Sequence, residues 1–212
     1  MREFRSEELF DLCHSIAGGR LGTLSYPWQI LDGLGELIME LAQGLDKSEY
    51  EERGEGILVS KSAQIAPAVS LLGPCIIGHR SEVRHCAYLR GCVLVGEDCV
   101  VGNSTELKNC ILFDRVQVPH YNYVGDSILG FGAHLGAGVI TANLRTDRAG
   151  VSVRIGNEKI DTGRRKLGAL IGDGAEIGCG SVLNPGTVVG KNAVVHPLTS
   201  VRGIVSAGSV LK

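Results

Sequence analysis

The feature that most constrains this chain is a six-residue repeat. From Val59 a branched or bulky apolar residue returns at every sixth position: Val59, Ile65, Leu71, Ile77, Val83, Leu89, Val95, Val101, Leu107 and Phe113. Four places after them come Ala63, Val69, Cys75, Ser81, Ala87, Val93, Cys99, Thr105 and Ile111, most of them small. Neither the 3.6 period of a helix nor strict strand alternation reproduces this spacing. One branched and one small inward position per hexad let short strands wrap around a narrow core. The pattern therefore predicts a mainly β chain built as a parallel β-helix. Thirty glycines and an aromatic content of 5% suit such a repetitive, turn-rich structure.

The array resumes with Val124, Leu129 and Leu135, breaks from Asn143 to Gly168, and returns as Ile171, Ile177, Leu183, Val189, Val195 and Val201. Small residues follow again at Ala175, Ser181, Thr187, Ala193 and Thr199. Arrays of this kind resemble the left-handed β-helix, a three-sided prism in which three hexads complete one coil. That resemblance implies that residues eighteen apart superpose at about one strand spacing, ~4.8 Å. Arg90 and Lys108 are so related, and two superposed cations either bind an anion such as phosphate or form a solvated basic edge. Cys92 and Cys110 are expected to stack likewise, as reduced thiols. The break has hairpin character around Gly156-Asn157 and ends in Arg164-Arg165-Lys166; a loop that long in a compact array is more often functional than idle.

The front of the chain has a helical period. Ser6 is placed to cap a helix through Leu9, Phe10, Leu12, Cys13, Ile16 and Ala17, ended by Gly18-Gly19. Pro27 opens a second helix, with Trp28, Leu31, Leu34, Leu37, Ile38, Leu41 and Leu45 on one stripe, weakened by Gly33 and Gly35. Asp46 to Gly56 reads as a linker. The expected division is a helical segment over 1–56 and a β-helix domain over 57–212. A net charge of −2 and a pI of about 6.3 favour neither nucleic acid nor an anionic membrane as partner. No apolar run approaches a membrane span, the first residues carry no signal region, and seven cysteines without a compact framework point to reduced thiols in a cytoplasm.

The spacing slips in Glu106–Asp126, where Pro-His-Tyr-Asn-Tyr reads as an insertion carrying His120 and Tyr123. Two readings stand: a general base on a rigid scaffold, or a corner with a solvent-facing histidine. A zinc site would need three convergent histidines. His79 and His85 fall on different prism faces, and His134 and His196 have no evident partners, so no metal is expected.

VPHYNYVGDSILG, LGAG, TANL and GRRKLGALIGD resemble the acyltransferase half of two-domain sugar-1-phosphate nucleotidylyltransferases, over about residues 57–212. The resemblance implies His120 as catalytic base and Glu106 as its orienter. It implies Arg90 and Lys108 as sugar-phosphate ligands, Tyr123 and Asn143 as further substrate contacts, and Ala137 and Cys179 at the acetyl-CoA. It also implies a homotrimer with sites between subunits. The sequence departs from that pattern in Leu144 after Asn143, in His134, in Ala149 with Arg148 beside it, in Cys179, and in His196-Pro197. The Gly-rich nucleotide-binding loop of the transferase half is missing from residues 1–56, so no nucleotidyl transfer is expected of these 212 residues.

A histidine can take the proton of an amine attacking a thioester, and a carboxylate on its far nitrogen fixes the tautomer. The leading expectation is an acetyl-CoA-dependent N-acetyltransferase acting on an amino-sugar 1-phosphate. The alternatives are acylation of a nucleotide-linked amino sugar, and a regulatory or scaffolding β-helix without activity.

Overall fold

The computed structural model describes residues 5–155 and 158–212. It is a left-handed parallel β-helix of about eight turns. Three ladders of short strands form its faces. The first runs through Ile57–Ser60, Cys75–Ile77, Val93–Val95, the ends of the two long strands Glu106–Leu112 and Tyr123–Leu129, then Ala169–Ile171, Thr187–Val189 and Ile204–Val205. The second runs from Gln64–Ile65 to Val210–Leu211 and includes Gln117–His120. The third contains Tyr88–Arg90, the first halves of the long strands, and Ile140–Thr141.

The corners between faces are turned by residues with positive φ. Arg80, Asp98 and Arg115 mark one edge, Cys86, Ser104 and Tyr121 the next, and Cys92, Asn109 and Asp126 the third. Left-handed backbone is costly for residues with a Cβ, and short polar side chains tolerate it best. Gly186 (φ 77) and Gly203 (φ 75) take over at the third edge in later coils.

The coil is not eighteen residues throughout. Leu107 pairs with Leu89, eighteen positions earlier, but Ile111 pairs with Leu94, seventeen earlier. One residue is lost where Arg90-Gly91-Cys92 becomes Lys108-Asn109, and the next coils keep the shorter repeat. The slip therefore lies at Asn109, and Pro119–Tyr123 is no insertion. It is an ordinary hexad in which Val118 pairs with Val101 and His120 with Asn103. Phe113 is correspondingly not the tenth inward residue: Leu112 lies beside Val95, while Phe113 packs its ring 5.2 Å from Phe10. The expected stacking of Cys92 on Cys110 fails for the same reason. Cys110 pairs with Val93, which pairs with Cys75, while Cys92 sits in the corner (φ 51). All seven thiols are free.

The N-terminal segment covers the outside of the first face. That face presents Ile76, Leu94, Ile111, Ile128, Leu170 and Val188 as its middle residues, all buried. An outward apolar ladder needs a cover, and Phe10, Leu21, Trp28, Leu31, Leu34 and Ile38 join its core. The two expected helices are broken up by this fit. The first is reduced to Ser6–Leu9, a 3-10 turn Leu12–His14 and Gly18–Leu21, so Gly18-Gly19 starts a turn of helix rather than ending one. Ser6 does not cap; its buried hydroxyl donates to the Leu21 carbonyl at 3.1 Å. The second splits at Gly33 into a 3-10 stretch Pro27–Asp32 and a helix Leu34–Gln43. The stretch expected as a linker contains the strand Tyr50–Gly54, which pairs antiparallel with Ile57–Ser60 and covers the open edge of the first coil. The excursion carries two antiparallel strands, Ser152–Ile155 and Glu158–Asp161; the turn expected at Gly156-Asn157 lies outside the described residues. No helix among the described residues is long and apolar enough to cross a membrane.

Burial holds the thiols of Cys75 and Cys99 up at about 12 and pushes that of Cys110 up as well. A thiol held neutral in the fold but free to ionise near 9 in the unfolded chain contributes stability that is lost as pH rises from about 9 to 12. Thiol titration in native buffer is expected to leave Cys75, Cys99 and Cys110 unlabelled until the chain unfolds. Melting temperature should fall steeply above pH 9, and less steeply in Cys75→Ala; immediate labelling of all seven thiols would contradict this packing.

Candidate active site on the third face

The third face gathers four of the eight expected site residues, Arg90, Glu106, Lys108 and Tyr123, in two columns. Tyr88, Glu106 and Tyr123 superpose on successive rungs; Leu72, Arg90, Lys108 and Gly125 form the second column. Arg90 and Lys108 both precede the shortening of the coil, so the eighteen-residue expectation holds for them. Arg90 Nη1 donates to Glu106 Oε1 at 2.7 Å, and this contact holds the guanidinium pKa above its ordinary value. Its guanidinium also lies 5.9 Å from the centre of the Tyr88 ring.

At the corner between the third and first faces lies a group that sequence reasoning missed. Asp126 is 2% exposed. Its Oδ1 accepts from Lys108 Nζ at 3.2 Å and from Asn109 Nδ2 at 2.8 Å. Its Oδ2 accepts from Asn143 Nδ2 at 2.5 Å, and Arg164 Nη2 stands 3.7 Å from Oδ1. Asn143 Nδ2 also donates to the Tyr123 hydroxyl at 3.1 Å, whose pKa burial raises and this hydrogen bond partly lowers. Arg164 is paired on its other side with Asp32 of the N-terminal segment. A cavity of about 580 Å³ opens here, with Arg90, Lys108, Arg164, Arg165 and Lys166 facing Asp32 and Asp126. Three of these cations already meet a carboxylate, Arg90 at Glu106, Lys108 at Asp126 and Arg164 at Asp32, and Arg165 and Lys166 add two further positive charges to the lining.

His120 lies at the opposite edge of the third face, as the last residue of Gln117–His120 and next to the corner residue Tyr121. It is exposed, and its imidazole has no hydrogen bond among the described residues; its backbone N–H donates to Asn122 Oδ1 at 3.1 Å. Glu106 is thus brought to Arg90 and not to His120. Ala137 and Cys179 superpose on His120 in the next two coils, since the Gly138 N–H donates to the His120 carbonyl at 3.0 Å and the Gly180 N–H to the Ala137 carbonyl at 2.8 Å. His134 superposes on Gln117 at the far end of the same strand ladder, where its Nδ1 lies 2.8 Å from Glu176 Oε2.

The chain is similar to bifunctional sugar-1-phosphate nucleotidylyltransferase/acetyltransferases. The family model of the GMPPB C-terminal domain matches residues 71–161. A bifunctional sugar-1-phosphate nucleotidylyltransferase/acetyltransferase of Sulfurisphaera tokodaii is 32% identical over 190 residues, covering 88% of this chain and 47% of the relative. The bifunctional protein GlmU of Methanocaldococcus jannaschii is 35% identical over 156 residues, covering 72% and 38%. The chain thus spans less than half the length of these curated relatives. Among solved structures, the acetyltransferase domain of PglB from Neisseria gonorrhoeae with acetyl coenzyme A aligns at TM-score 0.39 and 16% identity, over 84% of this chain and 63% of that one.

Gly125 forms the floor on which Tyr123 lies. A Cβ there would stand 2.5 Å from the Tyr123 hydroxyl and 2.8 Å from Asn143 Nδ2. Gly125→Ala is therefore expected to turn Tyr123 away from Asn143 and to cost about 1–3 kcal/mol of stability. A crystal structure and a melting curve of the variant check this; Tyr123 in place with unchanged melting would contradict it.

Proposed function

We propose that this chain is an acetyl-CoA-dependent N-acetyltransferase acting on an amino-sugar 1-phosphate. The observation that carries the reading is the pairing of two sites across one face. Arg90 and Lys108 superpose at one side, suited to a phosphate, and His120 stands at the other with Ala137 and Cys179 in line behind it. At ~4.8 Å per coil, that line gives a long acyl donor an edge to lie along, its thioester beside His120. The sugar then bridges the face, with Tyr123 and Asn143 beneath it.

In the proposed reaction the sugar ammonium first gives one proton to water, and the His120 imidazole then takes a proton from the neutral amine as it attacks. The amine nitrogen bonds to the thioester carbonyl carbon, and the tetrahedral intermediate collapses with loss of the C–S bond. The imidazolium returns its proton to the departing thiolate. Positioning supplies much of the remaining acceleration. Glu106 Oε1 is taken by Arg90, so Glu106 is given the part of holding that guanidinium rather than of orienting His120. No step needs a metal. A second reading, a nucleotide-linked amino sugar, draws support from Arg165 and Lys166, which extend the cation field beyond Arg90 and Lys108.

We also propose a homotrimer, with the acyl donor held between subunits, in a cytoplasmic setting. Tyr121 and Leu198, 64% and 85% exposed, lie along the same edge as His120 and Cys179, where a neighbouring prism would cover them. Light scattering that returns a monomer at micromolar concentration would remove the shared site.

Thiol release from acetyl-CoA against a panel of amino-sugar phosphates and nucleotide sugars tests the reading, and binding without turnover on any of them would overturn it. On the best substrate, His120→Ala is expected to lower kcat by ~10²–10⁴ with little change in KM. Arg90→Ala and Lys108→Ala are expected to raise KM for the sugar phosphate roughly ten- to a hundredfold, because a lost charge-assisted contact is worth roughly 1.5–3 kcal/mol and the phosphate charge hardly changes along the reaction. Full kcat in His120→Ala would exclude it as the base.

A further inference from the structure

The corner carboxylate Asp126 has no place in the reaction just described, yet it touches the residues assigned to both ends of the substrate. Resting on that reading, we propose that Asp126 is a positioning residue that locks the phosphate-binding Lys108 and the sugar-facing Asn143 at a fixed spacing. Asn109, Asp126 and Asn143 superpose on three consecutive rungs, because Lys108 pairs with Gly125 and Val124 with Thr141. The carboxylate is sandwiched between two amides that donate to it at 2.8 and 2.5 Å. Lys108 Nζ closes on it from the face, 3.2 and 3.3 Å from its two oxygens.

Corner geometry alone does not call for this group. Later coils turn the same corner with Gly186 and Gly203, and a carboxylate removed from water is unfavourable unless several donors meet it. Here the donors meeting it are themselves site residues. Asp126 lies behind the lysine, with 3% of its side chain exposed against 28% for Lys108, so the ammonium is held from inside while its outer side stays open to an anion. Asn143 uses one amide hydrogen on Asp126 and the other on the Tyr123 hydroxyl. One carboxylate therefore fixes Lys108 directly, Asn143 directly and Tyr123 through Asn143.

An asparagine at 126 would turn an amide donor toward donors. Asp126→Asn is expected to raise KM for the amino-sugar 1-phosphate about tenfold to a hundredfold and to lower kcat, leaving KM for acetyl-CoA unchanged. Asp173→Asn sets the structural baseline: Asp173 is a corner carboxylate that accepts from the backbone of Asp11 and Phe131 and pairs with Lys191, away from the third face. It should lower melting without moving either KM. The decisive readout is a double-mutant cycle on the sugar-phosphate KM, in which Asp126→Asn should cost markedly less in the Lys108→Ala background than in the wild type, the remainder being the loss through Asn143.

Additive losses, or a KM within twofold of wild type in Asp126→Asn, would overturn the assignment while wild-type turnover leaves the proposed activity standing. If the wild-type protein neither binds nor acetylates any amino-sugar phosphate, the activity and the assignment fall together. Should Asp126→Asn fail to fold, Asp126→Glu keeps the charge but displaces it by one methylene; an unchanged sugar-phosphate KM there would also overturn the role.

Discussion

Parallel strands in this molecule bond to segments one coil away, so each side chain's lateral neighbours are decided by how many residues the coil contains. Positive-φ corners keep that count, and hydrogen bonds between successive rungs enforce it. Residues far apart in the chain thus become a surface. Arg90, Glu106 and Tyr123 meet on one face and His120, Ala137 and Cys179 line one edge, without a single long loop to carry them. Buried ladders of backbone hydrogen bonds make such a surface stiff, which is what a site needs if it is to hold two substrates at a set distance.

The architecture was legible because its inward positions repeat every six residues, and no other regular structure has that period. The arithmetic of the site was legible only in part. Arg90 and Lys108 sit on the same side of the shortening at Asn109, so counting by eighteen superposed them correctly. Cys92 and Cys110 straddle it, and the same count misplaced them. Phe113 hid the change, since a large apolar residue in the tenth slot satisfied the pattern while packing outward on Phe10. Asp126 was overlooked because an aspartate in a turn reads as solvated. A count of seventeen sets it between Asn109 and Asn143 and reveals the two amides that meet it.

The N-terminal segment was misread for another reason. Its helical period is real, but its residues are chosen to fit a ribbed sheet rather than another helix, so turns of helix alternate with breaks at Gly33 and around Phe10. A signal for this cover lay in the β-helix itself: the outward residues Ile76, Leu94, Ile111 and Ile128 are all apolar, which a solvated face would not carry. By crossing to Asp32, the same segment reaches the rim of the cation-lined cavity and pairs with Arg164.

The excursion between Asn143 and Gly168 leaves and rejoins the prism at one corner. Leu129 pairs with Ile171 across it as though the two coils were contiguous. The scaffold's register therefore does not depend on the excursion's length, and lengthening a surface loop costs closure entropy that grows only logarithmically. A detour of this kind behaves as a cassette: it can be exchanged, extended or recharged, bringing another set of side chains to the cavity wall, while the columns beneath it keep their spacing. The excursion can thus change the cavity wall without changing the register of the faces.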